Sequence, residues 1–274
     1  VPPSPDPTSD PSAALGTYLD VVDSCAPGLV EGLYVVGSYA LGDWRPGRSD
    51  IDVVAVTSEP ATEDDAGALR TAHAVLAEAR PRPAIDGPYV AWGDLVTPPQ
   101  PLHRPWVLDG DLHHDAECFE INPVTWYVLA TYGVTVRGPR AEQLGTYVDV
   151  DARVRFVVDN LAGYWAPLAD DVRRRCDLEP GARFRADSFE WCALGALRLH
   201  LTAFTGDVTS KRGAGEYGLD VVPEDLRPVL HAALAVRSGE ARDDEGVPAE
   251  LMRGAADVVT WCASSVGDAA SPGA

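Results

Sequence analysis

The run VVGSYALGDWRPGRSDIDVVAV, residues 35–56, sets two carboxylates, Asp50 and Asp52, at the start of a strand-like segment whose other residues are apolar. An isolated carboxylate is costly to bury unless a cation or a metal compensates it. Side chains alternate across a strand, so Asp50 and Asp52 project from one face and Ile51 and Val53 from the other. Two carboxylates one strand repeat apart can hold hard divalent cations. Separated from Asp50 by eleven residues, Gly37-Ser38 closes another apolar run, GLYVVGS. A residue without a β-carbon there lets backbone amides and a hydroxyl approach a phosphate closely. One strand end that grips a triphosphate beside one that grips its magnesium is a site for nucleotide chemistry.

These residues need a scaffold, and the surrounding pattern supplies one. Leu15, Tyr18, Leu19, Val22 and Cys25 recur at helical spacing, so residues 12–25 are expected to form an amphipathic helix stopped by Pro27-Gly28. GLYVVGS and DIDVVAV read as two strands, and residues 63–80 as a helix with acidic residues in its first turn and Arg80 near its end. PAIDGPYVAW follows as a third strand, weakened by Gly87 and Pro88. From about Asn122 the pattern is read as helical throughout, with helices over 123–132, 139–144, 149–176, 187–205, 223–238 and 247–266. The expected class is α+β: a tail over residues 1–11, an α/β domain with a small mixed sheet over 12–148, and an all-helical domain over 149–274.

Composition narrows the partners. The chain carries 42 acidic and 22 basic residues, a formal charge of −20; residues 1–150 hold 22 acidic and 8 basic side chains, a net of −14. A field of that sign repels nucleic-acid backbones and attracts cationic small molecules. No apolar run approaches the roughly 18 residues that span a bilayer, and the Pro-rich start lacks the features of a signal peptide. The five cysteines are scattered and have no CxxC spacing, which argues against a disulfide framework or a zinc site. A cytoplasmic monomer acting without nucleic-acid or membrane partners is expected. His113, His114 and Asp115 are metal-ligand types, but adjacent side chains diverge on any regular element.

Lys211 is the one lysine among the 22 basic residues. Where arginine serves for every other positive charge, a surviving lysine suggests a need for its shape: a compact ammonium reaches phosphate oxygens where a planar guanidinium does not fit.

The stretch GSYALGDWRPGRSDID resembles the signature of the nucleotidyltransferase superfamily, a Gly-Ser followed by Ser/Thr-Asp-x-Asp. The helical half, with YGVTVRGPRAEQL and LRLHLTAFTGDVTSK, is similar to the aminoglycoside adenylyltransferases that modify streptomycin and spectinomycin. The resemblance implies an N-terminal nucleotidyltransferase domain in which Gly37, Ser38 and Ser49 contact ATP, while Asp50 and Asp52 bind two Mg²⁺ ions. The family's third carboxylate, a Glu serving as general base, corresponds to Asp86, one methylene shorter, which leaves Asp86 as the base or mainly as a third metal ligand. Arg198 and Lys211 match residues that reach the ATP phosphates from the second domain. The expected acidic drug contact falls on Ser188 by ungapped alignment from Lys211, which leaves Asp187 and Glu190 as the candidates; Trp106 is the nearest candidate for a stacking Trp, and the family's nucleotide-side Tyr falls on Arg237.

The reaction implied is transfer of AMP from ATP to a hydroxyl of a cationic, aminoglycoside-type acceptor. A different acceptor (a protein, an RNA end or another metabolite) and a catalytically idle nucleotide-binding module are the alternatives.

Overall fold

Three buried apolar strands, GLYV, IDVVAVT and IDGPYVA, form the centre of a sheet because each alternates between two covered faces. The structure, a computed structural model, describes residues 11–79, 83–241 and 246–270. Residues 1–10 of the expected tail and Arg80, the expected end of the second helix, lie outside the described residues. The chain divides into two compact units between Asp149 and Val150.

In the first unit the elements run α1 (Pro11–Cys25), β1 (Gly32–Val35), α2 (Gly37–Ala40), β2 (Ile51–Thr57), α3 (Glu63–Ala79), β3 (Ile85–Ala91), α4 (Trp92–Leu95), β4 (Leu102–His103), β5 (Trp106–Leu108), β6 (Asp111–His113), β7 (Glu117–Cys118), α5 (Pro123–Tyr132) and β8 (Val134–Arg137). The main sheet has the order β6-β5-β3-β2-β1-β8, with β2 and β3 parallel and the other neighbours antiparallel. It is the small mixed sheet expected.

One face of this sheet, through Leu33, Val35, Ile51, Val53 and Tyr89, packs on Leu15, Tyr18 and Val22 of α1 and Leu69 and Ala72 of α3. Inside this layer the Tyr18 hydroxyl donates to the Tyr89 hydroxyl at 2.6 Å, which also lies 2.7 Å from His73 Nε2, so the buried polar atoms satisfy one another. A reciprocal capping pair starts α3: Thr62 N–H donates to Asp65 Oδ2 at 2.8 Å, and Asp65 N–H donates to Thr62 Oγ1 at 3.2 Å. Asn122 caps α5 by accepting from the amides of Val124 and Thr125.

The segment after Asn122 is not wholly helical. VTVR, residues 134–137, forms β8 and extends the sheet beside β1. Its exposed Val134 and Val136 alternate with half-buried Thr135 and Arg137, the two-residue period of an edge strand rather than of a helix. Arg137 is fixed by a bidentate pair with Asp23, with N–O distances of 2.6 and 2.8 Å. Only Ala141–Gln143 of the expected 139–144 helix is helical, as a single 3₁₀ turn.

The second unit is helical apart from a two-stranded ribbon: α6 (Val150–Asn160), a π-turn (Leu161–Trp165), α7 (Ala166–Leu178), β9 (Arg183–Phe184), α8 (Ala186–Thr205), α9 (Lys211–Val221), α10 (Arg227–Ser238), β10 (Val247–Pro248) and α11 (Ala249–Ala270). The expected single helix over 149–176 is therefore interrupted. Pro167, near the start of α7, lacks an N–H, and the π-turn just before it is where the regular ladder breaks. Helix α9 was not expected from sequence because KRGAGEYGLDV contains three glycines, each unfavourable in a helix. Its glycines are packing residues. A β-carbon on Gly215 would stand 2.6 Å from a Leu234 methyl, and one on Gly218 2.7 Å from a Leu230 methyl and 2.8 Å from a Leu197 methyl. Close approach to α8 and α10 offsets the poor intrinsic propensity.

Candidate active site

The alternation expected of β2 is present. Ile51 and Val53 are buried in the layer against α1 and α3, while Asp52 is half-buried on the opposite face. Antiparallel pairing sets Val35 opposite Val53, and the Val36 amide donates to the Asp52 carbonyl at 2.8 Å. The next residue, Gly37, therefore arrives beside the Asp52 side chain. Gly37 has φ of +57°, and a β-carbon there would stand 1.8 Å from Asp52 Oδ2. Only glycine fits this corner. Gly37 and Ser38 open α2, and the Ser38 carbonyl accepts from the Asp43 amide at 2.9 Å. Ser49 sits in the turn before β2, where its hydroxyl accepts from the Arg45 amide at 3.1 Å.

Parallel pairing sets Asp86 of β3 in register with Asp52 of β2. Asp86 is 6% exposed, and both of its oxygens are held: the Asp109 amide donates to Oδ2 and the Gly110 amide to Oδ1, each at 3.0 Å. The donors form a two-residue hairpin link between β5 and β6, with φ of +53° at Asp109 and +84° at Gly110. That is the Asp-Gly form of a tight β-turn, in which both central residues take positive φ. Burial is the main cause that pushes the Asp86 carboxyl up to about 6; the two amides oppose the shift, and the charges of Asp50 and Asp52 add to it.

Asp50, Asp86 and Asp109 each place a carboxylate oxygen within 4.8 Å of one another, an arrangement able to hold a metal ion. The sequence reading named Asp50, Asp52 and Asp86; Asp109 is an addition from the β5–β6 turn. The Asp109-Gly110 pair after the apolar run Trp106–Leu108 was the signal that could have revealed this turn. Glu120 was also missed. It lies in the half-buried link before α5, and its carboxyl is raised to about 8 by burial and then by the charges of Asp52 and Asp86. Nothing in the local sequence around Glu120 indicates this proximity.

Trp106 is in β5, 7% exposed, stacked on His113 at 4.5 Å between centroids and met edge-on by Phe119 at 5.1 Å. His114 contacts Asp115 and Arg70 instead, so the three adjacent residues His113 to Asp115 do not converge on one point.

In the second unit, Glu190, Arg198, Lys211 and Arg237 come from three helices. Arg198 Nε donates to the Thr209 carbonyl at 3.3 Å, tying α8 to the segment that leads into α9. Ser210 caps α9 by accepting from the Gly213 amide at 3.2 Å, which makes Lys211 the first residue of the helix. Lys211 Nζ lies 3.7 Å from Glu190 Oε1, and the Arg237 guanidinium donates to the same oxygen at 3.1 Å. Arg237 is 6% exposed and Glu190 7%, so the aligned Arg237 is buried against a carboxylate. Asp187, in the first turn of α8, is exposed; its hydrogen bonds from Arg185 hold its carboxyl below the usual range.

Residues 17–83 match the family model described as "Nucleotidyltransferase domain", and residues 192–260 match "Aminoglycoside adenylyltransferase, C-terminal domain". No curated protein matches the chain at a significant level. Among solved structures, the chain is similar to the spectinomycin adenyltransferase AAD(9) from Enterococcus faecialis with ATP and spectinomycin, at 15% identity and a TM-score of 0.64, over 93% of this chain and 98% of that one. At that identity the likeness is one of fold. The chain thus joins a nucleotidyltransferase domain to an aminoglycoside adenylyltransferase C-terminal domain, the pairing that the motif and the helical half resemble.

Proposed function

We propose that this protein is an adenylyltransferase that transfers AMP from ATP to a hydroxyl of a cationic, aminoglycoside-type acceptor and releases pyrophosphate. The observation that carries the reading is the corner where Gly37 meets Asp52, with Asp86 in register on the next strand. A backbone without a side chain, packed against one member of a carboxylate set, fits a triphosphate with its divalent cations. Acidic character overall, and a likeness to a fold seen with ATP and spectinomycin, support the acceptor class.

Asp50, Asp52 and Asp86 would hold the metal, with Asp109 as a further donor. Bound Mg²⁺ supplies neutralisation of charge on the triphosphate oxygens. Gly37, Ser38 and Ser49 bind the triphosphate, and Arg198 and Lys211 supply cationic charge to its phosphates. Asp86 takes the proton as the acceptor hydroxyl bonds to the α-phosphorus and the bond to the bridging oxygen of pyrophosphate breaks. The amides of Asp109 and Gly110 fix both of its oxygens for that role. On the second unit, exposed Asp187 is the acidic group proposed for the acceptor; on the first, Trp106 is the aromatic candidate.

The test is mass spectrometry of streptomycin, spectinomycin and kanamycin after incubation with protein, ATP and Mg²⁺. An AMP adduct on at least one is expected. An adduct on none would make the acceptor assignment wrong.

A further inference from the structure

Glu190 entered as a candidate contact for the acceptor, and its surroundings argue for a different task. Its carboxylate is almost wholly buried on α8 and meets two cations on two other helices, Arg237 of α10 at 3.1 Å and Lys211 of α9 at 3.7 Å, through one oxygen, Oε1. To reach a cationic acceptor, the carboxylate would have to give up its 3.1 Å hydrogen bond from Arg237, whose guanidinium is itself buried at 6% exposure. Breaking a buried ion pair is strongly destabilising.

Lys211 is in the opposite situation. Its side chain is 29% exposed, and it occupies the first position of a helix, where the positive end of the helix dipole disfavours a cation. A lysine stem has four rotatable carbons and loses much freedom when ordered. A fixed carboxylate nearby both offsets the dipole and limits where the ammonium can go. The buried Arg237–Glu190 pair is such a fixed point.

We propose that Glu190 is a positioning residue that holds the Lys211 ammonium for the triphosphate of ATP, with Arg237 as its anchor. The proposal rests on the assignment of Lys211 to the triphosphate made above.

The test measures the Kd of Mg·ATP and the KM of the acceptor for the wild type, Glu190→Gln, Glu190→Asp, Lys211→Met and the double variant Glu190→Gln/Lys211→Met. Glu190→Gln is expected to weaken Mg·ATP binding roughly tenfold, the scale of one charged contact, with the acceptor KM unchanged. Glu190→Asp should restore part of the loss. In the Lys211→Met background, Glu190→Gln should add less than about twofold, because residues that act through one another are not additive. A rise in acceptor KM with Mg·ATP binding intact overturns the proposal, as do additive effects in the double variant. If Glu190→Gln does not fold, Glu190→Asp gives the same reading: ATP binding at wild-type strength with a raised acceptor KM overturns the positioning role. A wild type that binds Mg·ATP and transfers AMP while Glu190→Gln behaves identically defeats this inference alone; a wild type that neither binds nor transfers defeats the proposed function with it.

Discussion

Gly37 and Asp52 are packed so closely that a single added carbon on the first would stand 1.8 Å from a carboxylate oxygen of the second. Gly37→Ala also forces φ of +57° on a residue that disfavours it. The variant is expected to lose AMP transfer by ~100-fold or more, the cost of displacing a reacting group by about an ångström. Steady-state kinetics check the loss, and far-UV circular dichroism should show the fold retained.

Asp52→Asn keeps the size of that side chain and removes its charge. AMP transfer is expected to fall by ~100-fold or more, as when a preorganised electrostatic partner is removed. The melting temperature without added metal should hold or rise, because a carboxylate set loses like-charge repulsion. Wild-type transfer by this variant would sink the metal-site reading.

Asp86 makes metal binding depend on pH. Its carboxyl is raised from 3.8 to about 6 in the metal-free fold, chiefly by burial. Between these values the folded chain binds more protons than the unfolded one. The stability contributed by this group is therefore present below pH 3.8 and lost as pH rises through about 6. Metal needs the ionised form, so the rise in melting temperature on adding Mn²⁺ should be small at about pH 5 and complete by about pH 7.5. A Mn²⁺ effect of equal size at both would contradict the assignment.

Glu120 should release a proton when the site fills. With its carboxyl raised to about 8, it is largely protonated at neutral pH in the metal-free protein. Part of the shift comes from the negative charges of Asp52 and Asp86, and a cation bound there removes that part. Calorimetry of Mn²⁺ binding at about pH 7.5, in buffers of different ionisation enthalpy, should report release of a fraction of a proton. Glu120→Gln should diminish it.

Asp109 separates turn geometry from ligand charge. Asp109→Asn tolerates positive φ and preserves the amides that hold Asp86, so only the charge is lost; Mn²⁺ affinity should fall by roughly tenfold. Asp109→Val, β-branched and unsuited to positive φ, should also release Asp86 and cost considerably more. Mn²⁺ titration by electron paramagnetic resonance distinguishes the two.

What could be read from sequence was whatever left a local mark. The carboxylates of β2 stood out because charge interrupted an apolar run, and Gly37-Ser38 stood out by its place at a strand end. The β3 strand was legible despite Gly87 and Pro88; a β-carbon on Gly87 would lie 1.8 Å from the Val53 carbonyl, a constraint visible only once β2 lies beside β3. Asp109-Gly110 marks a turn locally, but only the pairing of β5 with β3 brings that turn to Asp86, and nothing near Glu120 in sequence marks its proximity to Asp52 and Asp86. Helix α9 was hidden for a related reason: its glycines answer to leucines on other helices, whereas propensity is a property of the segment alone. Glu190 was singled out as a candidate acidic contact, and the ion pair that bears on its role comes from Arg237, 47 positions away.

Lys211, held against Glu190, is also the sole ε-amine in these 274 residues. Amine-directed chemistry along the side chains therefore has a single address, at the point where the proposed nucleotide charge is met. Acylation there would remove one positive charge and one ion-pair donor in the same event. The chain is built so that a non-selective acylating reagent acts on its side-chain amines as a selective one, and occupancy by ATP becomes readable as protection of one covalent site.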